Sequence, residues 1–274
     1  MVIAHLTDSH IGLKSQALGS RLDPTEALRR ALAHVRGLDP APEVLLLTGD
    51  MTDAGHPDDY ATIAELLKQE LPALSQGRMQ VICTPGNHDN RRNARQALGA
   101  LLPVCAHAPN EHACIVAEVG GLHFIGLDTV VPGQPHGALD GQTLDWLARV
   151  LHAHAGQAVA LFMHHPPLVT GIDAMDRCGL LHGRAELARL GAAHGGEQFI
   201  ACGHMHRPIV GALGGAPVIV APSTSHQLEL DLRPGAPLAL RLEPPMIGLY
   251  RWTPEDGVAC HFSHVQPFDG PYRV

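Results

Sequence analysis

The 274-residue chain is 45% apolar and 17% charged, enough apolar material for a sizeable core, which excludes a chain disordered throughout. Its formal charge is −8 with histidine neutral and it has no basic run, which argues against a surface that grips nucleic acid or a polybasic membrane patch. Its 20 histidines are the anomaly, because imidazole is the commonest metal ligand.

Residues 2–7 read as a short buried strand, and residues 24–37 as a helix with proline early and glycine at its close. EVLLLTGD, residues 43–50, is a continuous apolar run ending in polar residues, the pattern of a strand covered on both faces. A helix follows over 58–71, then a buried strand over 79–89 that ends in a polar loop. LHFIGLD (122–128) is a fourth strand, and residues 140–154 form a helix with Asp140 as its cap. AVALFMHHPP (158–167) and QFIACGHMH (198–206) are further strands, separated by a helix over 184–194, and APVIVAPST (216–224) is the next strand. After about residue 228, the segments ALRLEP, IGLYRW and VACHFSHV read as antiparallel strands or hairpins. Alternating strands and helices with apolar strands predict an α/β layered fold with an internal sheet. The cysteines (Cys83, Cys105, Cys114, Cys178, Cys202 and Cys260) form no CxxC pair and read as free buried thiols, which fits a reducing cytoplasm. MVIAHLTDS shows no signal-peptide pattern, and no apolar stretch is long enough to predict a membrane span.

Five short polar segments each end an apolar run: Asp8-Ser9-His10, Gly49-Asp50, Gly86-Asn87-His88-Asp89, His164-His165-Pro166 and Gly203-His204-Met205-His206. α/β folds place ligands at the carboxyl ends of their strands, so these segments are expected at one sheet edge. Carboxylates, an amide oxygen and imidazoles gathered there are costly to bury unpaired, and cations neutralise them. Residues spaced by two, as in DSH and HMH, face one way from an extended segment. Asp50 has two oxygens and is able to bridge two ions. A pair of ions about 3.5–4 Å apart would clamp a phosphoryl group.

In this order the motifs DxH, GD, GNH[DE], HxP and GHxH resemble the calcineurin-like metallophosphoesterase superfamily, over residues 8–206. LTDSHIG, GNHDNR, MHHPP, GHMHRP and APSTSHQL further resemble its bacterial cyclic-nucleotide and glycerophosphodiester phosphodiesterases. The resemblance implies a four-layer αββα sandwich rather than a doubly wound sheet. It implies that Asp8, His10 and His206 hold one metal, that Asn87, His164 and His204 hold a second, and that Asp50 bridges them. The ions would be divalent or mixed-valence Fe, Mn, Zn or Co. His88 would be the catalytic non-ligand histidine at the phosphate and Asp89 the acid that orients its imidazole. A metal-bridging hydroxide would attack phosphorus in line. The expected substrates are small phosphodiesters, 3',5'-cyclic nucleotides first, with a glycerophosphodiesterase, a broad diesterase or a phosphomonoesterase as alternatives and a non-catalytic phosphate-binding module as the contrasting class.

Other residues carry weaker signals. His165 reads as a substrate contact or a loop residue. Arg91 and Arg92 read as a solvated helix start or a phosphate contact, and His5 as a satisfied core histidine. Ser223, Thr224, Ser225 and His226 line the pocket or form a turn. Residues 1–227 are expected to form the catalytic domain, with 228–274 as C-terminal strands and a cap or interface segment packed on it. The proline-rich apolar stretch 228–250 makes a homodimer an expectation alongside a monomer with this segment folded on its own core.

Overall fold

Short apolar runs in this chain have both faces to bury, and two packed sheets between helical layers supply partners for both. The computed structural model describes residues 1–15, 18–99, 112–270 and 272, so Cys105 lies outside the described residues. The first half contains β1 (Val2–Leu6), α1 (Pro24–Arg36), β2 (Val44–Thr48), α2 (Pro57–Glu70), α3 (Pro72–Ser75), β3 (Gln80–Thr84), α4 (Arg91–Leu98), β4 (Ile115–Val119), β5 (Leu122–Leu127) and β6 (Gly137–Ala138). Next come α5 (Gly141–Ala153), β7 (Val159–Met163), α6 (Asp173–Asp176), β8 (Leu180–His182), α7 (Arg184–His194), β9 (Gln198–Cys202), β10 (Ile209–Leu213) and β11 (Ala216–Val220). The chain then forms β12 (Gln227–Leu228), β13 (Leu240–Arg241), β14 (Met246–Thr253) and β15 (Gly257–His264).

One sheet has the order β15-β14-β1-β2-β3 and the other β10-β11-β9-β7-β5-β4. β1, β2 and β3 run parallel, as do β5, β7, β9 and β11. Period-two alternation divides each strand between two cores. In β1 and β2, Ala4, Leu6, Leu45 and Leu47 pack with α1 and α2, whereas Ile3, Val44 and Leu46 point between the sheets. The scarce aromatics concentrate in that middle layer, where Phe124, Phe162, Phe199, Tyr250 and Trp252 are all buried. On the far side, Leu127, Leu161 and Ile200 meet Trp146 and Leu147 of α5 and Leu187 of α7. The result is the expected αββα layering, with two central sheets flanked by helices.

Asp140 caps α5 by accepting from Thr143 N at 2.8 Å, as its position in the sequence suggests. His5 is buried between the sheets and has Tyr250 Oη 2.8 Å from Nδ1 and Thr48 Oγ1 2.7 Å from Nε2, as a satisfied core histidine should. The tail forms an antiparallel hairpin, β14–β15, whose first strand pairs antiparallel with β1. The C-terminal strands are therefore part of the first sheet. Among the described residues no helix is long and apolar enough to cross a membrane.

Candidate metal centre

All the parallel strands of both sheets deliver their carboxyl ends to one edge. His164, after β7, donates from Nδ1 to the Thr48 carbonyl at the end of β2 (2.7 Å), and Thr84 of β3 donates to the Leu127 carbonyl of β5 (3.2 Å), which locks the two edges together.

The residues that turn here are strained. Among the described residues, the non-glycine residues with positive φ are Asp8 (53°), His10 (47°), Asp50 (46°), His204 (71°) and His206 (53°). Left-handed backbone at a residue with a side chain is unfavourable and persists only where surroundings over-determine it. Here the surroundings are specific: Asp8 N donates to Gly49 O (3.1 Å), His10 N to Asp50 O (3.0 Å), and Ile11 N to Met51 O (3.1 Å). Carboxylates finish the frame, with His204 N donating to Asp8 Oδ2 and His88 N to Asp50 Oδ1, each at 2.9 Å. Two glycines permit the closeness. A Cβ at Gly203 would collide with Thr7 Oγ1 and come 2.8 Å from Asp8 Oδ2, and one at Gly86 would collide with Asp50 Oδ1.

The side chains converge as acceptors. His206 donates from Nδ1 to the His226 carbonyl (2.8 Å), and His10 Nδ1 faces Asp53 Oδ1 (3.2 Å). Both rings thus turn Nε2 inward, and the two Nε2 atoms lie 3.1 Å apart. His206 Nε2 is 3.3 Å from Asp8 Oδ1 and His10 Nε2 is 3.7 Å from Asp50 Oδ2. On the other side of Asp50, His164 Nε2 meets Asp50 Oδ2 (3.3 Å), Asn87 Oδ1 (3.2 Å) and His204 Nδ1 (3.2 Å). Asp8 Oδ1 and His204 Nε2 are buried without a hydrogen-bond partner. Lone pairs aimed at one another in a buried site are what a cation resolves. Asp8, His10 and His206 offer ligand atoms within 4.8 Å of one another, as do Asp8, Asp50 and His164. The donor set of carboxylate, imidazole and amide oxygen fits two divalent ions of the hard-to-borderline kind.

Proton affinities bear the same imprint. Burial works against charge on Asp50, yet His164 beside it holds the carboxyl well below the usual range. Burial opposes the His164 imidazolium too, but the Asp50 and Asp8 carboxylates lift it to about 9. His206 is likewise raised by Asp8 against burial, whereas burial and the neighbouring His164 push His204 down to about 3. Each of these shifts has the same origin, carboxylates and imidazoles held together out of water.

The remaining candidates divide. His88 is exposed at the mouth and contacts the Asp53 carbonyl through Nδ1 at 2.7 Å. With His10 and Asp50 it also forms a trio within 4.8 Å. Asp89 does not orient His88. Its carboxylate accepts from Gly86 N (2.9 Å), Tyr60 Oη (2.9 Å), and Met51 N and Thr52 N (3.3 Å each), so it clamps the two metal-site turns together. Burial and then the charge of Asp50 raise its pKa. His165 is no substrate contact: it is fully buried, donates from Nε2 to Pro135 O (3.2 Å) and accepts at Nδ1 from Thr129 (2.8 Å). Burial, then the neighbouring imidazoles, keep it neutral. Arg91 forks onto buried Asp128 (2.5 and 2.9 Å) and ties the start of α4 to the end of β5, while Arg92 is exposed. Ser223 supports Asp8 by donating to its carbonyl (2.7 Å), and His226 joins the pocket wall with its ring centroid 4.6 Å from that of His206.

Asp53 is the site residue that motif reading passes over. It stands three positions after Asp50 in GDMTDAG, in what reads as an ordinary turn. Burial of Asp8 and Asp50 beneath a cavity of about 290 Å³ completes the arrangement.

Comparison with known proteins agrees with this geometry. A protein of Arcobacter nitrofigilis called "Probable glycerophosphodiester phosphodiesterase GpdQ" is 35% identical over 272 residues, spanning 99% of this chain and 96% of its own. A "Probable cyclic nucleotide phosphodiesterase" of Rhodococcus erythropolis is 31% identical over 235 residues, 85% of this chain and 74% of its own. The crystal structure of a dimetal phosphatase from Danio rerio shares the fold, with a TM-score of 0.63 over 97% of this chain and 96% of its own at 14% identity. The calcineurin-like phosphoesterase profile matches residues 1–208, from β1 through the turn carrying His204 and His206. That stretch contains every side chain that converges on Asp50, and the chain belongs to the calcineurin-like phosphoesterase family.

Proposed function

We propose that the chain is a metal-dependent phosphodiesterase of small diesters, a glycerophosphodiesterase or a broad-specificity diesterase. Asp8, His10 and His206 would hold one cation, Asn87, His164 and His204 a second, and Asp50 both. The pair of cations would supply a lowered water pKa and charge neutralisation at phosphorus. The chain's own residues do the rest. Asp53 orients the His10 ring, Thr48 and His226 orient His164 and His206 through their carbonyls, and His88 stands at the mouth to donate to a phosphate oxygen or a leaving alkoxide.

The observation that carries this reading is the convergence of inward-facing acceptors on the two sides of Asp50. The glycerophosphodiester-type relative supports the substrate class, because its likeness runs through the C-terminal segment as well as the motifs. Cyclic nucleotides are the second reading, supported by the Rhodococcus relative over 85% of this chain.

The test is chelation followed by reloading with Mn, Fe, Zn or Co, with metal analysis and a kinetic panel of glycerophosphodiesters, 3',5'-cyclic nucleotides and monoesters. Diester hydrolysis is expected to vanish with the metal and return near two ions per chain. Turnover without divalent ions overturns the metal dependence, and a strong monoester preference overturns the diesterase reading.

A further inference from the structure

The cavity over the metal cluster has two unlike walls. Its floor is the polar set around Asp50. The rest of its lining is mostly apolar, with Leu13, Pro135, Met175, Leu228, Leu238 and Leu240 beside Cys178, and among the described residues no lysine or arginine lines it. Leu228 and Leu240 are register partners across β12 and β13. Leu228 is buried, but Leu238 is 56% and Leu240 39% exposed, so the hairpin holds apolar side chains half in water above the site.

The hairpin is mounted, not loose. At its base, Arg207, the residue after His206, donates to the Leu228 carbonyl and to Glu243 Oε1 (3.1 Å). That arginine is thereby turned away from the cavity. Farther out, Glu229 N donates to Ala239 O (2.8 Å), and at the tip Gly235 N donates to Asp173 Oδ2 (2.7 Å), on the short helix that carries Met175. Both ends of the wall are thus fixed to elements that also form the cavity.

We infer that this hairpin sets the substrate class of the site: the phosphodiester it selects carries an apolar or aromatic ester group, which seats on Leu228, Leu238, Leu240 and Met175, while polyol and anionic ester groups are tolerated without being selected. The inference rests on the reading of the cluster as a phosphodiesterase centre and, of the two forms proposed above, favours the broad-specificity diesterase over the glycerophosphodiesterase. A polyol gains no hydrogen bond from the leucine and methionine side chains of this seat and loses water contacts on covering them. An apolar group releases that water and covers the two leucines. Apolar seats discriminate modestly, by about 10–200-fold. Among the described residues, no lysine or arginine lines the cavity to accept a second anionic group.

The test uses the manganese-loaded full chain and two phosphonates that cannot be hydrolysed as esters, phenylphosphonate and 2,3-dihydroxypropylphosphonate, with affinities measured by calorimetry. Phenylphosphonate is expected to bind at least about tenfold tighter. In L238S/L240S that advantage should fall to about twofold, and in L238M/L240M, which stays apolar, it should persist. Equal affinities in the parent chain, a tighter polyol, or an advantage undiminished in L238S/L240S each overturn the inference. Hydrolysis of methyl 4-nitrophenyl phosphate by the parent chain is assayed alongside. No turnover together with an intact phenyl preference overturns the phosphodiesterase reading and leaves the apolar seat standing. Thermal melts confirm that both double variants fold.

Discussion

The main-chain carbonyl of Asp53 lies 2.7 Å from Nδ1 of His88, while the carboxylate of the same residue lies 3.2 Å from Nδ1 of His10. One turn therefore orients two imidazoles with different work, through two chemically distinct oxygens. A side-chain substitution separates them. Asp53→Ala removes the acceptor for His10 and leaves the carbonyl for His88. Its metal affinity is expected to fall about 10–100-fold, with Asp53→Asn retaining most of it, as measured by competition against a chelator. Unchanged affinity in Asp53→Ala would mean that His10 needs no carboxylate behind it.

His88 lies close enough to His10 and Asp50 to invite a ligand role, yet it is far more exposed than either. In His88→Ala, diester turnover is expected to drop about 100-fold or more while bound metal per chain is unchanged. Parallel loss of metal and activity would place His88 among the ligands.

Gly203 tests the packing of the centre without touching a ligand. Because a Cβ there would strike Thr7 Oγ1 and crowd Asp8 Oδ2, Gly203→Ala is expected to destabilise the fold by about 1–3 kcal/mol and to lower metal content. Gly141→Ala, where nothing lies within 4 Å of the new methyl, is the control and should leave metal content intact. Equal behaviour of the two variants in denaturant melts and metal analysis would refute the packing argument.

His5 predicts a stability profile. Burial depresses its pKa from 6.5 to about 3, opposed only by the charge of Asp8. The folded state wants the neutral ring, so below pH 6.5 the unfolded chain binds the extra proton. The stability that depends on neutral His5 is whole above pH 6.5 and drains as pH falls toward 3. At pH 4 the loss is on the order of 3 kcal/mol. Urea melts of the chelated protein between pH 7 and 4 should show a shallower acid slope for His5→Gln than for the parent chain, and identical slopes would refute the assignment.

The parallel strands were legible because burial on both faces writes an uninterrupted apolar run, as in VLLLT of β2 and VALFM of β7. The edge strands of the second sheet were not. β4 (IVAEV) and β10 (IVGAL) lie at its borders with half-exposed patterns, and each is set by the neighbour it pairs with rather than by burial on both faces. The metal set was legible because each ligand follows such a run. Roles among neighbours were less so. His165 adjoins His164, and Asp89 adjoins His88, but consecutive side chains leave an extended backbone in different directions. His165 therefore turns toward Thr129 and Asp89 toward Tyr60. Asp53 was invisible for the complementary reason: its use depends on His10 and His88 arriving from other strands. Pairing of β14 with β1 depends equally on distant partners, with His5 and Tyr250 245 residues apart.

That pairing has a consequence for how the protein is born. The strand that leads into Asp8 and His10 is translated more than 200 positions ahead of the neighbour that covers its open edge. A ribosome-tethered chain halted before Met246 would leave β1 with one bare flank, a template for pairing with other nascent chains.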